Sequence, residues 1–229
     1  MKLAIVIPAY NEEKTIANVV GSIPDQIDGV SRIETIVVDD NSSDRTYRIA
    51  KASGAHALSH AMNLGQGGAV LTGITYAKRL GADAVVTLDA DGQHDPKEIG
   101  RLVAGYVQGR GEMIIGSRFL SESIKKMPRL KRFGNRAFSL ITYLVSGKML
   151  TDTQSGFRLF SSKMADALIG ADLSGYEFCS ETIMIAQKHR LSVAEVPIST
   201  IYDPNRVGGQ SPINGINILL KLIYRKLVG

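Results

Sequence analysis

The sequence predicts an α/β fold in a single domain, with a mostly parallel sheet and helices on both of its faces. Three observations predict it. Short, continuously apolar runs of β type alternate with segments whose apolar residues recur at helical spacing. Each of the main runs passes directly into a polar cluster. At 229 residues, 44% hydrophobic and 21% charged, the chain suits one core better than two. Continuously apolar strands are what a parallel sheet covered on both faces requires.

The first strand runs from Leu3 to Ile7, and Pro8-Ala9-Tyr10-Asn11-Glu12-Glu13 leads from it into a helix carrying Ile16, Val19, Val20 and Ile23. The second strand spans Ile33 to Val38, and the turn Asp39-Asp40-Asn41-Ser42-Ser43-Asp44, with a capping serine, opens a helix over Arg45 to Ser53. Ala57 to Ser59 forms a short strand. Asn63 to Gly68 reads as a glycine-rich turn, Ala69 to Leu80 as a helix and Ala84 to Leu88 as a buried strand. After Asp89-Ala90-Asp91-Gly92-Gln93-His94, Asp95 caps a helix with Pro96 at its first position and Glu98 three residues after the cap. Ile99, Leu102, Val103 and Tyr106 form the inner face of that helix, and Met113 to Gly116 closes the series as a strand. The second half is less regular, and Met113, Met149 and Met164 read as packing residues.

Parallel sheets of this kind bind ligands beyond the carboxyl ends of their strands. The clusters at Pro8 to Glu12, Asp39 to Asn41 and Asp89 to Gln93 all follow strands, so they should meet on one rim. Asp89 and Asp91 stand two apart and, in an extended segment, point to the same side, where both can approach one hard cation such as Mg²⁺ or Mn²⁺. Gln93 adds a neutral oxygen. Water and phosphate oxygens would complete the coordination, as a diphosphate leaving group needs. A calcium loop starting at Asp89 fails, because its sixth position is His94 and its twelfth Gly100. Gly65 to Val70 lacks the dinucleotide fingerprint, and the chain has no Gly-Lys-Ser/Thr for a P-loop.

Taken in order, Pro8-Ala9-Tyr10-Asn11-Glu12, Val38-Asp39-Asp40-Asn41-Ser42, Asn63-Leu64-Gly65, Asp89-Ala90-Asp91-Gly92-Gln93, Gly116-Ser117-Arg118 and Asp152-x-x-Ser155-Gly156-Phe157-Arg158 resemble the family 2 glycosyltransferases. Within that family they are most similar to the dolichol-phosphate mannosyltransferase-like branch of polyprenyl-phosphate glycosyltransferases, from Leu3 to about Pro212. The resemblance implies a GT-A, Rossmann-like fold, a nucleotide-diphospho-sugar donor and inversion at the anomeric carbon. It implies that residues 1–118 form the nucleotide-sugar and metal half, residues 119–212 the acceptor half, and residues 213–229 an amphipathic C-terminal helix. Carried over by position, Pro8, Ala9, Tyr10, Glu12, Val38 and Asp40 hold base and ribose, Asp89, Asp91 and Gln93 hold the metal, and Ala90 joins the donor site. Of the two adjacent acids Asp40 is favoured for the ligand, while Asp39 points into the fold or caps the following turn. Arg206 and Ser211 match a late loop that closes over the donor diphosphate, although Pro212 stands where a lysine is common. Glu177 stands where the mannosyltransferase branch would have a basic residue, so both GDP-mannose and UDP-glucose remain open as donors.

The acceptor decides the catalytic roles of Asp91, Arg118 and Asp152. A sugar hydroxyl needs a general base, for which Asp152 is the candidate by position. A lipid phosphate is already anionic; it needs cations, supplied by Arg118, Arg132 and Arg136, and leaves Asp152 to orient an arginine. Residues 125–136 hold Lys125, Lys126, Arg129, Lys131, Arg132 and Arg136 with no acid, and without those six the remainder of the chain carries −1 against +5 for the whole. This cluster beside the apolar stretch Ala137 to Leu150 fits a phosphate at the edge of hydrocarbon, and so a polyprenyl phosphate met at the membrane surface.

No apolar stretch reaches the roughly 18 to 20 residues that cross a bilayer. The single Cys179 and the absence of a secretory opening favour a cytoplasmic location, peripheral at the membrane. Members of this branch often carry transmembrane helices after the C-terminal segment, which makes a separate membrane subunit, or a longer chain, an expectation. The histidines lack zinc spacing and read as structural, His94 lying nearest the metal loop. Nucleic acid is excluded as a partner, because Phe133 alone interleaves the basic cluster. Two alternatives stay open, a saccharide-hydroxyl acceptor with Asp152 as base and a non-catalytic nucleotide-binding subunit.

Overall fold

β1 (Lys2–Ala9) lies at the middle of a sheet, which is why Leu3 to Ile7 can all be apolar. The computed structural model describes residues 1–121, 139, 143, 149–171, 178–199 and 201. Among these, β2 (Arg32–Asp39), β3 (His56–Ser59), β4 (Ala84–Thr87), β5 (Met113–Ser117), β6 (Arg158–Ser161) and β7 (Val193–Pro197) complete seven strands in the order β3-β2-β1-β4-β6-β5-β7. Six strands run in one direction, and β6 runs against its neighbours β4 and β5. The reversal matters for the site. It brings the start of β6, Arg158, opposite Thr87 and Ile115, so the loop entering β6 opens onto the rim where the parallel strands end.

Alternate strand residues feed two cores, one on each face. One face gathers Ile5, Ile7, Val37 and Val86 under α1 (Ile16–Gly21), α2 (Thr46–Ala52) and α4 (Ile99–Val107). The other gathers Val6, Ile36, Val85 and Ile115 under α3 (Gly65–Arg79), α5 (Ser162–Ile169) and α6 (Phe178–Lys188). Gly73 lets α3 lie on β1, since a Cβ there would collide with Val6 Cγ1. The single-domain α/β reading and the five strands read from the sequence are present, within a residue or two at their ends.

Four local expectations are corrected. Helix α3 begins at Gly65, so only the front of the expected Asn63–Gly68 turn is turn. The Asp40 carboxylate accepts from Leu64 N at 2.8 Å and Gly65 N at 2.8 Å, satisfying that helix end from a different strand. No serine caps α2; Asp44 accepts from Thr46 N at 2.9 Å instead. Asp95 does accept from Lys97 N at 3.0 Å, but the turn it caps is a 3₁₀ turn over Pro96–Glu98 that precedes α4. Met149, expected in packing, is exposed.

Candidate active site

The rim is built from stitched loops. Asn11 and Asn41, each just past a strand, take left-handed backbone (φ +55° and +63°), which asparagine tolerates better than most residues. Asn11 N donates to Ser42 Oγ at 2.9 Å, and Asn11 Oδ1 accepts from Ser43 N at 2.9 Å. Glu12 N donates to Thr46 Oγ1 at 2.8 Å, and Glu12 Oε2 accepts the Thr15 hydroxyl at 2.6 Å. The loops after β1 and β2 therefore form one rigid cradle, with Tyr10 half exposed over it.

The two neighbouring aspartates have opposite fates. Asp40, favoured for the ligand from the sequence, is buried and committed: besides anchoring α3, its Oδ1 lies 2.7 Å from His60 Nδ1, whose Nε2 lies 2.9 Å from Thr72 Oγ1. Asp39 is also buried; its Oδ2 accepts from Ser59 Oγ at 3.2 Å, but its Oδ1 has no hydrogen-bond partner among the described residues. A buried acceptor left open beside a ligand cradle is costly unless a ligand donor completes it. Val38 buries its side chain in the core under α3, and Ala9 and Ala90 pack in the opposite core, so these three shape the rim from inside.

Past β4, Asp89 and Asp91 lie in a turn closed by Gly92 at φ +73°, not in the extended segment expected. Asp89 Oδ1 accepts from Gln66 Nε2 at 2.9 Å, at the start of α3. Its Oδ2 lies 3.7 Å from Nε2 of His94, whose ring stacks on Phe157 with centroids 5.3 Å apart. Gly156 closes the other side: a Cβ there would stand 2.7 and 2.8 Å from the two carboxylate oxygens. The side chain keeps 29% of its surface exposed toward the rim. Burial first, and the charge of Asp91 second, nevertheless push the Asp89 carboxyl up to about 7, with Arg118 and the Gln66 hydrogen bond opposing them. Burial, with Arg118 beside it, pushes His94 down to about 4, so the ring is neutral. Its Nδ1 is buried without a partner among the described residues. Asp91 Oδ1 accepts from Gln93 N at 2.9 Å, and Gln93 O accepts from Ile201 N at 2.9 Å, so the chain beyond β7 crosses this turn.

These residues fit a divalent cation. The charge of Asp91 raises the cost of ionising Asp89, and a cation would offset it. Among the described residues no cluster of three or more His, Cys, Asp or Glu surrounds a single point. A cation held by Asp89 and Asp91 would therefore keep positions open for phosphate oxygens.

Arg118 brings a positive charge to this end of the site, one that bears on both Asp89 and His94. Asp152, fully buried, grips it as a fork: Nε to Oδ2 at 2.6 Å, Nη2 to Oδ1 at 2.8 Å, and the Arg118 backbone N to Oδ2 at 3.1 Å. The sequence left two roles open to Asp152, and the structure places its carboxylate on Arg118. Glu195, on β7, holds the Asp152 backbone in turn. Arg158 is fully buried and spends its guanidinium on Ser155 O (2.8 Å), Cys179 O (2.6 Å), Thr153 O (2.8 Å) and Thr182 Oγ1. Burial pushes that guanidinium below its ordinary range, with Cys179, Asp152, Glu195 and Asp89 opposing. It is the internal frame of the Asp152–Phe157 loop.

The structure thus gathers Asp89, Asp91, Arg118 and Asp152 at one end of the rim and the Pro8–Glu12 cradle with Asp39 at the other. Arg132, Arg136, Arg206, Ser211, Glu177, the basic cluster and the 213–229 segment lie outside the described residues. Sequence reasoning missed Gln66, Gly156 and Glu195. Gly156 carried a signal in the Ser155-Gly156 pair; Gln66 and Glu195 carried none that was local.

The Glycosyl transferase family 2 profile matches residues 4–169. The chain is 39% identical to the UDP-N-acetylglucosamine–dolichyl-phosphate N-acetylglucosaminyltransferase of Methanococcus voltae, over 98% of this chain and 94% of that one. It is 29% identical to the undecaprenyl-phosphate mannosyltransferase of Micrococcus luteus, over 94% and 88% of the two chains. Its fold matches glucosyl-3-phosphoglycerate synthase from Mycobacterium tuberculosis, solved with Mn²⁺, UDP-glucose and phosphoglyceric acid (TM-score 0.74, 22% identity, 100% of this chain and 80% of that one), which makes it a GT-A fold. The rim geometry and the match over most of its length lead to one assignment: the chain belongs to the family 2 glycosyltransferases.

Proposed function

We propose that this glycosyltransferase moves a sugar from a nucleotide-diphospho-sugar to a polyprenyl phosphate at a membrane surface, with inversion at the anomeric carbon. The observation that carries the acceptor assignment is the fork between Arg118 and the fully buried Asp152. A carboxylate that spends both oxygens on a guanidinium is occupied in holding it, whereas a guanidinium held rigid beside Asp89 suits a phosphate oxygen. The named activities of the relatives, both on polyprenyl phosphates, support the same acceptor.

The donor's base and ribose rest in the Pro8–Glu12 cradle under Tyr10, where Asp39 Oδ1 accepts an N–H or O–H of the nucleoside. Asp89, Asp91 and Gln93 would hold Mg²⁺ or Mn²⁺, and that cation supplies charge neutralisation at the leaving diphosphate. Gln66 and Gly156 fix the Asp89 carboxylate, while neutral His94 packs behind it without adding charge. Arg118 holds the acceptor phosphate; one of that phosphate's oxygens attacks the anomeric carbon as the bond to the diphosphate oxygen breaks, and the nucleoside diphosphate leaves with the electron pair. No proton is removed from the acceptor. The basic run Lys125 to Arg136, beside Ala137 to Leu150, supports the membrane-surface reading. Among the described residues no helix is long and apolar enough to cross a membrane.

The test is an acceptor panel with the wild-type chain: a short polyprenyl phosphate, the matching polyprenol and free saccharides, each with UDP-N-acetylglucosamine, UDP-glucose and GDP-mannose. Product on the lipid phosphate alone is the expected result. Transfer to polyprenol or saccharide hydroxyls would restore Asp152 as a general base, and nucleotide-sugar binding without transfer to any acceptor would favour a non-catalytic subunit.

A further inference from the structure

Glu195 stands opposite Ile115 in the β5–β7 pair, and its carboxylate is heavily used. Its two oxygens accept from Thr151 N at 3.0 and 2.9 Å, and Oε1 also accepts from Asp152 N at 2.9 Å and from Thr151 Oγ1 at 3.0 Å. Thr151 Oγ1 lies 2.6 Å from Ser117 Oγ, the residue before Arg118. Two attachments of Arg118 therefore trace to one carboxylate. The guanidinium is held by Asp152, whose backbone Glu195 fixes; the main chain is tied through Ser117 to Thr151, which Glu195 also fixes.

Charged acceptors on consecutive backbone N–H groups give strong, directional restraint. Removing this one would let the Thr151–Asp152 peptides rotate, and a bidentate fork transmits such a rotation to the guanidinium plane. We propose that Glu195 is a positioning residue for the reaction, setting the orientation in which Arg118 meets the acceptor phosphate. The inference rests on the reading of Arg118 as the phosphate partner.

The test compares wild type, Glu195→Gln, Glu195→Ala, Arg118→Ala and the Arg118→Ala/Glu195→Ala double variant in the full chain. Donor KM and acceptor KM are read with a short polyprenyl phosphate in detergent micelles. Glu195→Ala should raise acceptor KM about 10-fold or more with donor KM within about twofold, and Glu195→Gln, which keeps one acceptor oxygen, should fall between. The double variant should be no worse than Arg118→Ala alone, because the two residues act as one unit. Arg118→Ala with an unchanged acceptor KM would remove the phosphate reading itself. A response to Arg118→Ala together with additive losses in the double variant, or donor and acceptor KM rising alike in the Glu195 variants, would leave that reading standing and refute the positioning role. Should Glu195→Ala not fold, the near-isosteric Glu195→Gln carries the same comparison.

Discussion

Replacing Gly156 by alanine puts a methyl group 2.7 Å from Asp89 Oδ2 and 2.8 Å from Oδ1. Carbon–oxygen contacts ordinarily begin near about 3.3 Å, so the carboxylate or the loop must retreat by roughly 0.5 Å. Neither moves freely. Gln66 holds the carboxylate at 2.9 Å, and the loop is framed from within by the buried Arg158. Overpacking of this kind costs about 1–3 kcal/mol, and in a chain of this size each kcal/mol lowers Tm by about 2–4 °C. A misplacement of about 1 Å at reacting groups can cost about 100-fold in rate, so half that distance predicts a loss of about 10-fold or more in kcat. The assay is turnover per folded molecule well below Tm, beside Gly73→Ala as a control. Gly73 is also tightly packed, against Val6 in the core, and its variant should lose stability but keep its turnover. Wild-type turnover in Gly156→Ala would refute the packing of the loop on Asp89. Equal losses in both variants would show the effect to be global.

Asp152→Asn replaces a charged fork partner, and acceptor kcat/KM should fall about 30-fold or more while the shape of the pH–rate profile is kept; disappearance of an ionisation from that profile would identify Asp152 as a base. Asp89, pushed up to about 7 in the folded chain against about 3.9 when unfolded, costs stability as pH rises between those values. In chelator, Asp89→Asn, which can keep the Gln66 hydrogen bond, should therefore melt a few degrees above wild type at about pH 8 and level with it near about pH 4; parallel Tm curves would contradict the burial of that carboxyl. Glu34 is held below the ordinary carboxylate range by the His56 hydrogen bond first, at 3.0 Å, and by Lys2 and Arg32. Its contribution is present above the unfolded value of about 4.3 and is lost as pH falls through the lower folded one. Glu34→Gln should accordingly lower Tm at neutral pH, with the gap closing in acid, and a gap independent of pH would rule the ion cluster out as its source.

What was legible in the sequence were features written locally. Leu3 to Ile7 and Ala84 to Leu88 are apolar without interruption because strands at the centre of a covered sheet need both faces buried. The Asp89-x-Asp91 pair is visible as two acids directly after a buried strand. What escaped depends on partners distant along the chain. The start of α3 is set by Asp40, 24 residues before Leu64, so Gly65 to Gly68 resembled a turn. Strand β6 holds only four residues and opens on an arginine, whose burial is satisfied by carbonyls that only the folded loop supplies. Between Asp39 and Asp40 the sequence favoured Asp40 for the ligand, whereas the fold spends the Asp40 carboxylate on Leu64, Gly65 and His60, partners 20 or more residues away. Glu195 meets Thr151 and Asp152 across 44 and 43 residues, a pairing that no local pattern encodes.

The most direct test of the central claim is to incubate the wild-type chain and Asp91→Ala with the donor panel, a short polyprenyl phosphate and Mn²⁺ or Mg²⁺, with and without chelator, and to quantify glycosyl phospholipid. The account predicts product with the wild type, at least about 100-fold less with Asp91→Ala, and none in chelator. Product formation that survives both the substitution and the chelator would contradict it.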